Sequence, residues 1–263
     1  MSDVLYAVDG SIARITLNRP EARNAFSDAM IKGITESLDK AEFDPEVRVV
    51  VIRGEGSAFC AGGDLKAMRD HSGMFSGDPV ELRQRYLRGM QTLPRRFDSF
   101  EKPTIAQING AAIGAGLGLA LMCDLRVSAE RAKFGSTFAK VGLIPGDGGA
   151  YLLTRTVGFS KALELILTAR VIDAETALKI DMVHEVVASD QLQARVDALA
   201  SEIAALPPKA VRMAKTALYR SVNRDLESAL HITAALQGLI QSTQEHEDAV
   251  DALLNTIHSR KES

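Results

Sequence analysis

Asn109-Gly110-Ala111-Ala112-Ile113-Gly114-Ala115-Gly116-Leu117-Gly118 is the stretch on which the fold turns. It follows an apolar run from Pro103 to Asn109 that reads as a strand, and it leads into an apolar helix ending near Cys123. A further strand is expected at Leu125 to Ala129. Upstream, Val47 to Ile52 is apolar on both faces, as a strand in the middle of a covered sheet must be, and it precedes a second glycine-rich turn, Ala58-Phe59-Cys60-Ala61-Gly62-Gly63-Asp64-Leu65. Strand, glycine-rich turn and helix thus recur, which defines an α/β chain.

Outward from this centre, Val4 to Val8 and Ile12 to Leu17 read as a hairpin across Asp9-Gly10, a dipeptide that tolerates the positive φ of a tight turn. Ser27 is placed to cap a helix carrying Met30, Ile34, Leu38 and Ala41 on one stripe. A helix is expected to start near Asp64-Leu65, followed by a loop from Asp70 to Asp78. Helix resumes at Asp78-Pro79, and Pro94 is expected to bend or end it near its last turn. A short strand is expected at Val183 to Val187. Beyond Ser160 helix otherwise dominates, and Pro207-Pro208 divides a core over 1–206 from a helical tail over 207–263.

Composition narrows the partners. The 263 residues carry 31 lysines and arginines against 34 acids, a formal charge of −3. No global field attracts nucleic acid or anionic lipid, so any phosphate site is local. The uncharged run from Pro103 to Cys123 is interrupted by Gln107, Asn109 and the four glycines Gly110, Gly114, Gly116 and Gly118, so no membrane span is expected. The N-terminus lacks a basic segment followed by an apolar one, and Cys60 and Cys123 have no paired spacing, which favours reduced buried thiols and a cytoplasmic setting. The five histidines have no ligand spacing, so no metal is expected.

Nucleotide-triphosphate, zinc-protease and nucleophile-elbow motifs are absent, and Leu119 stands where a dinucleotide loop needs its third glycine. What remains is the pair of glycine-rich turns. Each follows a strand and enters a helix, leaving N–H groups without intrahelical acceptors. Two such donors converging on one point stabilise a carbonyl oxygen as it becomes anionic. Close strand–helix packing explains the same glycines equally well.

Phe59-Cys60-Ala61-Gly62-Gly63-Asp64-Leu65, Asn109 to Gly116, Cys123-Asp124 and Gly142-Leu143-Ile144-Pro145 together, in order and spacing, resemble the crotonase, or enoyl-CoA hydratase/isomerase, superfamily. The resemblance spans Asn18-Arg19-Pro20 to the helical tail. It implies a crotonase-like spiral of ββα units with a helical C-terminal tail, an acyl-CoA thioester substrate, and an oxyanion hole made by the Gly63 and Ala115 amides. CoA contacts are implied at Arg23, Ala25, Ala61, Asp64 and Leu65. Beyond the CoA carried by the substrate, no cofactor is implied. A homotrimer or hexamer built through the tail is implied as well, with Lys209, Arg212 and Lys215 as a basic stripe able to approach CoA phosphates.

Hydratases of this family use two glutamates, and the positions that correspond hold Gly118 and Phe138. Some isomerases of the family place an aspartate in the turn where this chain has Gly146, and Asp147 follows it. In a dry pocket Asp147 would have a raised pKa and serve as a base for moving a proton between carbons. The alternative for Asp147 is a helix cap. Asp70 and His71 are weaker candidates. Double-bond isomerisation is therefore the leading expectation, with hydration of an enoyl-CoA and catalytically silent acyl-CoA binding as the alternatives.

Overall fold

The computed structural model describes residues 2–259. The hairpin forms as expected: β1 (Val4–Asp9) pairs antiparallel with β2 (Ile12–Leu17), and Gly10 takes a φ of +55° in the turn. From β2 onward the sheet is parallel. β3 (Val49–Gly54), β5 (Thr104–Ile108), β7 (Leu125–Ala129) and β10 (Glu185–Val187) follow in that spatial order.

A second, smaller sheet is laid down by the same passes of the chain. After β3 comes β4 (Ala58–Cys60), after β5 comes β6 (Ala111–Ile113), and after β7 comes β8 (Lys133–Gly135), joined at its edge by β9 (Ile172–Asp173). Each pass adds one strand to each sheet and then enters a helical segment. That is a spiral of ββα units, the crotonase fold.

The central strand shows why both faces of β3 are apolar. Val50 and Ile52 pack into the main core between the sheets, and Val49 and Val51 pack on the opposite face under α8 (Leu192–Ala204) with Val196 and Ala200. The main core also receives Met30, Ile34 and Leu38 from α1 (Asp28–Phe43), whose first turn is capped by the Ser27 hydroxyl accepting from the Met30 amide at 3.0 Å. The helix that follows the turn from Asn109 to Gly114, α5 (Ala115–Met122), is buried at all eight positions, so its sequence is apolar all round rather than striped.

One boundary differs from the sequence reading. The helix begun at Asp78-Pro79 ends at Arg88 (α3, Pro79–Arg88), and a new one, α4 (Thr92–Ser99), contains Pro94 in its first turn, where its missing N–H costs nothing. The break is at Gly89, not at Pro94. The helical residues of α6 (Gly149–Thr168) are broken by a kink at Gly158, whose φ of +77° and ψ of +161° leave the helical region.

Short helices α2 (Leu65–Arg69) and α7 (Ala174–Lys179) fill the remaining crossings. The tail comprises α9 (Pro208–Ser221), α10 (Leu226–Gln241) and α11 (Gln244–Ser259), and none of the three has a buried residue. No helix among the described residues is long and apolar enough to cross a membrane.

Candidate active site

The two glycine-rich turns meet backbone to backbone. A Cβ on Gly116 would collide with the Cys60 carbonyl, and one on Gly62 would collide with the Ile113 carbonyl and stand 3.2 Å from the Ala115 nitrogen. Gly62 also holds a φ of +88°, which side chains rarely adopt. Packing and chemistry therefore do not compete as explanations of these glycines, because the close approach is what brings Gly63 and Ala115 to one cleft. Ala115 is the first residue of α5, so its N–H has no acceptor within the helix. Neither its N–H nor that of Gly63 is taken up by an acceptor among the described residues.

The cleft is walled by Met68, Met74, Phe75, Met90, Phe138 and Leu143. Its lining is mainly apolar, as that of small-ligand pockets is. Asp147 lines it too. That carboxylate is 1% exposed; Oδ1 accepts a hydrogen bond from the Gly149 amide at 2.9 Å, and Oδ2 has no hydrogen-bond partner among the described residues. Asp147 stands one residue before the N-cap, Gly148, so one oxygen holds the first helical amide and the other is unused.

Room for Asp147 comes from residues without side chains. A Cβ on Gly118 would collide with Oδ2, and one on Gly149 would lie 2.8 Å from Oδ1. Burial pushes the Asp147 carboxyl up to about 6, against the opposing pull of the Gly149 amide. Tyr86 of α3 lines the same cleft, and its phenol is raised by burial and then by the Asp147 charge. Its ring lies against Gly146, 3.1 Å from where a Cβ would stand, and Gln91 Nε2 donates to the Gly146 carbonyl at 2.9 Å. The junction of α3 and α4 is therefore fastened to the turn that carries Asp147. Residue spacing singles out Tyr86 only as core packing; its place beside Asp147 depends on two segments distant in sequence.

The remaining expected site residues gather on the Gly63 edge. The Ala61 amide donates to the Arg23 carbonyl at 3.0 Å, and the Phe26 amide donates to the Gly62 carbonyl at 2.8 Å. Residues 23–26 thus run beside 61–63, with Ala25 buried and the Arg23 side chain exposed. Buried Asn24 holds this segment by accepting from the Arg19 amide and donating to the carbonyls of Glu55 and Ala58, each at 2.9 Å. Asp64 caps α2 by accepting from the Lys66 and Ala67 amides and faces Arg19 at 3.5 Å, contacts that hold its carboxyl below the usual range. Leu65 is 63% exposed. None of these five lines the cleft itself.

Other candidates lie elsewhere. Asp70 and His71 are exposed and do not line the cleft, and Asp70 accepts from Arg69 Nε at 2.9 Å. The basic stripe is largely occupied: Arg212 pairs with Glu101 at 2.5 Å, and Lys215 pairs with Asp124 at 2.7 Å while also donating to the Lys102 carbonyl. Cys60 is buried and donates to the Asn24 carbonyl, and burial pushes its thiol up to about 12. It is an inert core thiol, as its sequence context indicates.

Comparison with known proteins agrees with this geometry. Residues 7–260 match the family model described as enoyl-CoA hydratase/isomerase. The chain is similar to the short-chain-enoyl-CoA hydratase of Clostridium acetobutylicum, 33% identical over 97% of this chain and 95% of that protein. A crotonyl-CoA hydratase of Syntrophomonas wolfei is also 33% identical, over 96% of this chain and 95% of its own length. Among solved structures, enoyl-CoA hydratase from Bacillus anthracis superposes with a TM-score of 0.90 at 30% identity, covering 97% of this chain and 96% of that one. The chain belongs to the enoyl-CoA hydratase/isomerase family.

Proposed function

We propose that the protein shifts a carbon–carbon double bond in an acyl-CoA thioester, with Asp147 as the single proton carrier. The observation that carries this reading is the buried Oδ2 of Asp147, without a hydrogen-bond partner among the described residues and set against the bare Gly118, in the cleft that also receives Gly63 and Ala115. CoA would lie along Arg23, Ala25, Ala61, Asp64 and Leu65, beside the Gly63 edge, and no cofactor is required.

For a 3-enoyl thioester, Asp147 Oδ2 takes a proton from C2. The C–H electron pair delocalises through the C3–C4 double bond and the carbonyl as a dienolate, and the Gly63 and Ala115 N–H groups donate to its oxygen. The same carboxylic acid returns the proton to C4, which leaves the double bond at C2–C3 and regenerates the carboxylate. No water is consumed. A cleft walled by methionines, phenylalanines and leucine suits that chemistry, because it raises the base and keeps water from the dienolate.

Hydration of a 2-enoyl thioester is the second reading, favoured by the hydratase names of the relatives. It asks Asp147 alone to deprotonate water and supply the α-proton, since Gly118 and Phe138 carry no ionisable group. For assembly, exposed Leu218, Leu226 and Leu239 on the tail helices support the homotrimer or hexamer implied for residues 207–263.

The test offers 3-enoyl-CoA and 2-enoyl-CoA separately and follows the conjugated-thioester absorbance. Isomerisation predicts a rise with the 3-enoyl substrate, lowered roughly 10²- to 10⁴-fold in Asp147→Asn. A fall with the 2-enoyl substrate, without reaction of the 3-enoyl one, would replace it with hydration. Thermal stabilisation by both thioesters with no turnover would assign a silent binder.

A further inference from the structure

The cleft holds one charged side chain for which proton transfer has no use. Arg85 of α3 lines it, yet its guanidinium makes no hydrogen bond or ion pair among the described residues. Arg95 and Arg96, on the next helix, are by contrast engaged: Arg95 donates to the Leu87 carbonyl at 2.8 Å, and Arg96 pairs with Asp39 at 2.7 Å and Glu42 at 2.6 Å. Exposure orders the cleft by depth. Asp147, Ala115 and Met90 are buried, whereas Arg85 is exposed and so stands at the rim.

Resting on the acyl-CoA reading of this cleft, we propose that Arg85 is its specificity residue and selects acyl chains ending in a carboxylate, the half-thioesters of dicarboxylic acids. The methylenes of such a chain are covered by the methionine and phenylalanine walls, and its terminal carboxylate reaches a guanidinium that can bind it through two parallel N–H groups. A plain alkyl chain gains nothing from that cation. Placement at the rim also keeps the substrate's charge away from Asp147, where a second carboxylate would raise the base further. Helix α3 is held in register for this by Tyr86 against Gly146 and by Gln91 on the Gly146 carbonyl, so the cation and the base belong to one connected frame.

Binding of saturated thioesters tests the assignment without asking for turnover. Two acyl-CoAs of equal length, one ending in a free carboxylate and one in its methyl ester, are titrated by calorimetry into wild type, Arg85→Gln and Arg85→Lys, with free CoA as a control. The expected result is about fivefold tighter binding of the carboxylate form to wild type, a preference reduced by added salt, retained in part by Arg85→Lys and lost in Arg85→Gln. Free CoA binds all three proteins equally. Absence of the preference in wild type overturns the proposal, as does Arg85→Gln weakening free CoA and both thioesters alike, which would place the cation on the CoA moiety. Because saturated thioesters cannot isomerise, these outcomes are separate from the role of Asp147. A folded protein that binds neither thioester overturns the acyl-CoA reading itself.

Discussion

The carboxylate of Asp147 stands in the space that a side chain on Gly118 would fill. An acid carried by the turn before α6 thus occupies the face of α5 from which the family's hydratases are expected to present one. The two residues are mutually exclusive in volume, and this sets the first prediction. Gly118→Ala should drive the Asp147 carboxylate out of place and lower turnover by about 10²-fold or more, with the far-ultraviolet circular dichroism unchanged. Wild-type rates in this variant would show that Asp147 is not the proton carrier.

Asp147 titrates at about 6 because burial disfavours its charged form. A base must be ionised to act, so kcat/KM should rise with pH through about 6 and level off above it, and this acid limb should vanish from whatever activity Asp147→Asn retains.

Stability should follow the opposite trend. Between the ordinary aspartate value near 4 and about 6, the native state keeps a proton that the unfolded chain has released. The contribution of Asp147 is therefore lost as pH rises through that window, unlike that of a salt-bridged aspartate. Asp147→Asn should raise the unfolding free energy at neutral pH by up to about 3 kcal/mol while lowering activity about 10²- to 10⁴-fold. Denaturant melts at pH 5 and pH 8 check this, since the gain should shrink at the lower pH.

Asn24 ties the 23–26 segment to the strand that carries Phe59 and Cys60. Asn24→Ala would strand the buried carbonyls of Ala58 and Phe59, each worth about 1–3 kcal/mol when left unsatisfied. Alanine is also poorly suited to the φ of +56° at this position. A total loss of about 3 kcal/mol is expected in urea melts, together with weaker CoA binding by calorimetry.

The Lys215–Asp124 pair fastens α9 to the core with both side chains mostly covered, 11% and 16% exposed, and Asp124 also accepts from the Thr104 amide and the Tyr219 hydroxyl. Asp124→Ala removes one partner of a nearly buried pair and should cost about 3–5 kcal/mol. Proteolysis should then cut between α8 and α9 first. Lys209→Ala, at the exposed start of the stripe, should leave stability within about 0.5 kcal/mol of wild type.

Local features were legible in the chain itself. The hairpin at Asp9-Gly10, the Ser27 cap, the doubly apolar β3 and the two glycine-rich turns are each written in neighbouring residues, because hydrophobic period and turn chemistry act over a few positions. Gly89 ending a helix in place of Pro94 was not, since a proline reads alike whether it sits in a helix's first turn or bends the helix.

The sequence by itself determined an α/β chain, its two strand-to-helix turns, and an acid at 147 with glycine and phenylalanine at 118 and 138. Only the tertiary structure decided what those residues do to one another. Spacing shows that Gly118 lacks a side chain but not what fills the space, and it shows Lys215 as one of a basic stripe but not that Asp124 takes it up. Both outcomes depend on contacts between segments far apart in sequence. The same low-dielectric enclosure that those contacts create is what moves the Asp147 carboxyl to about 6.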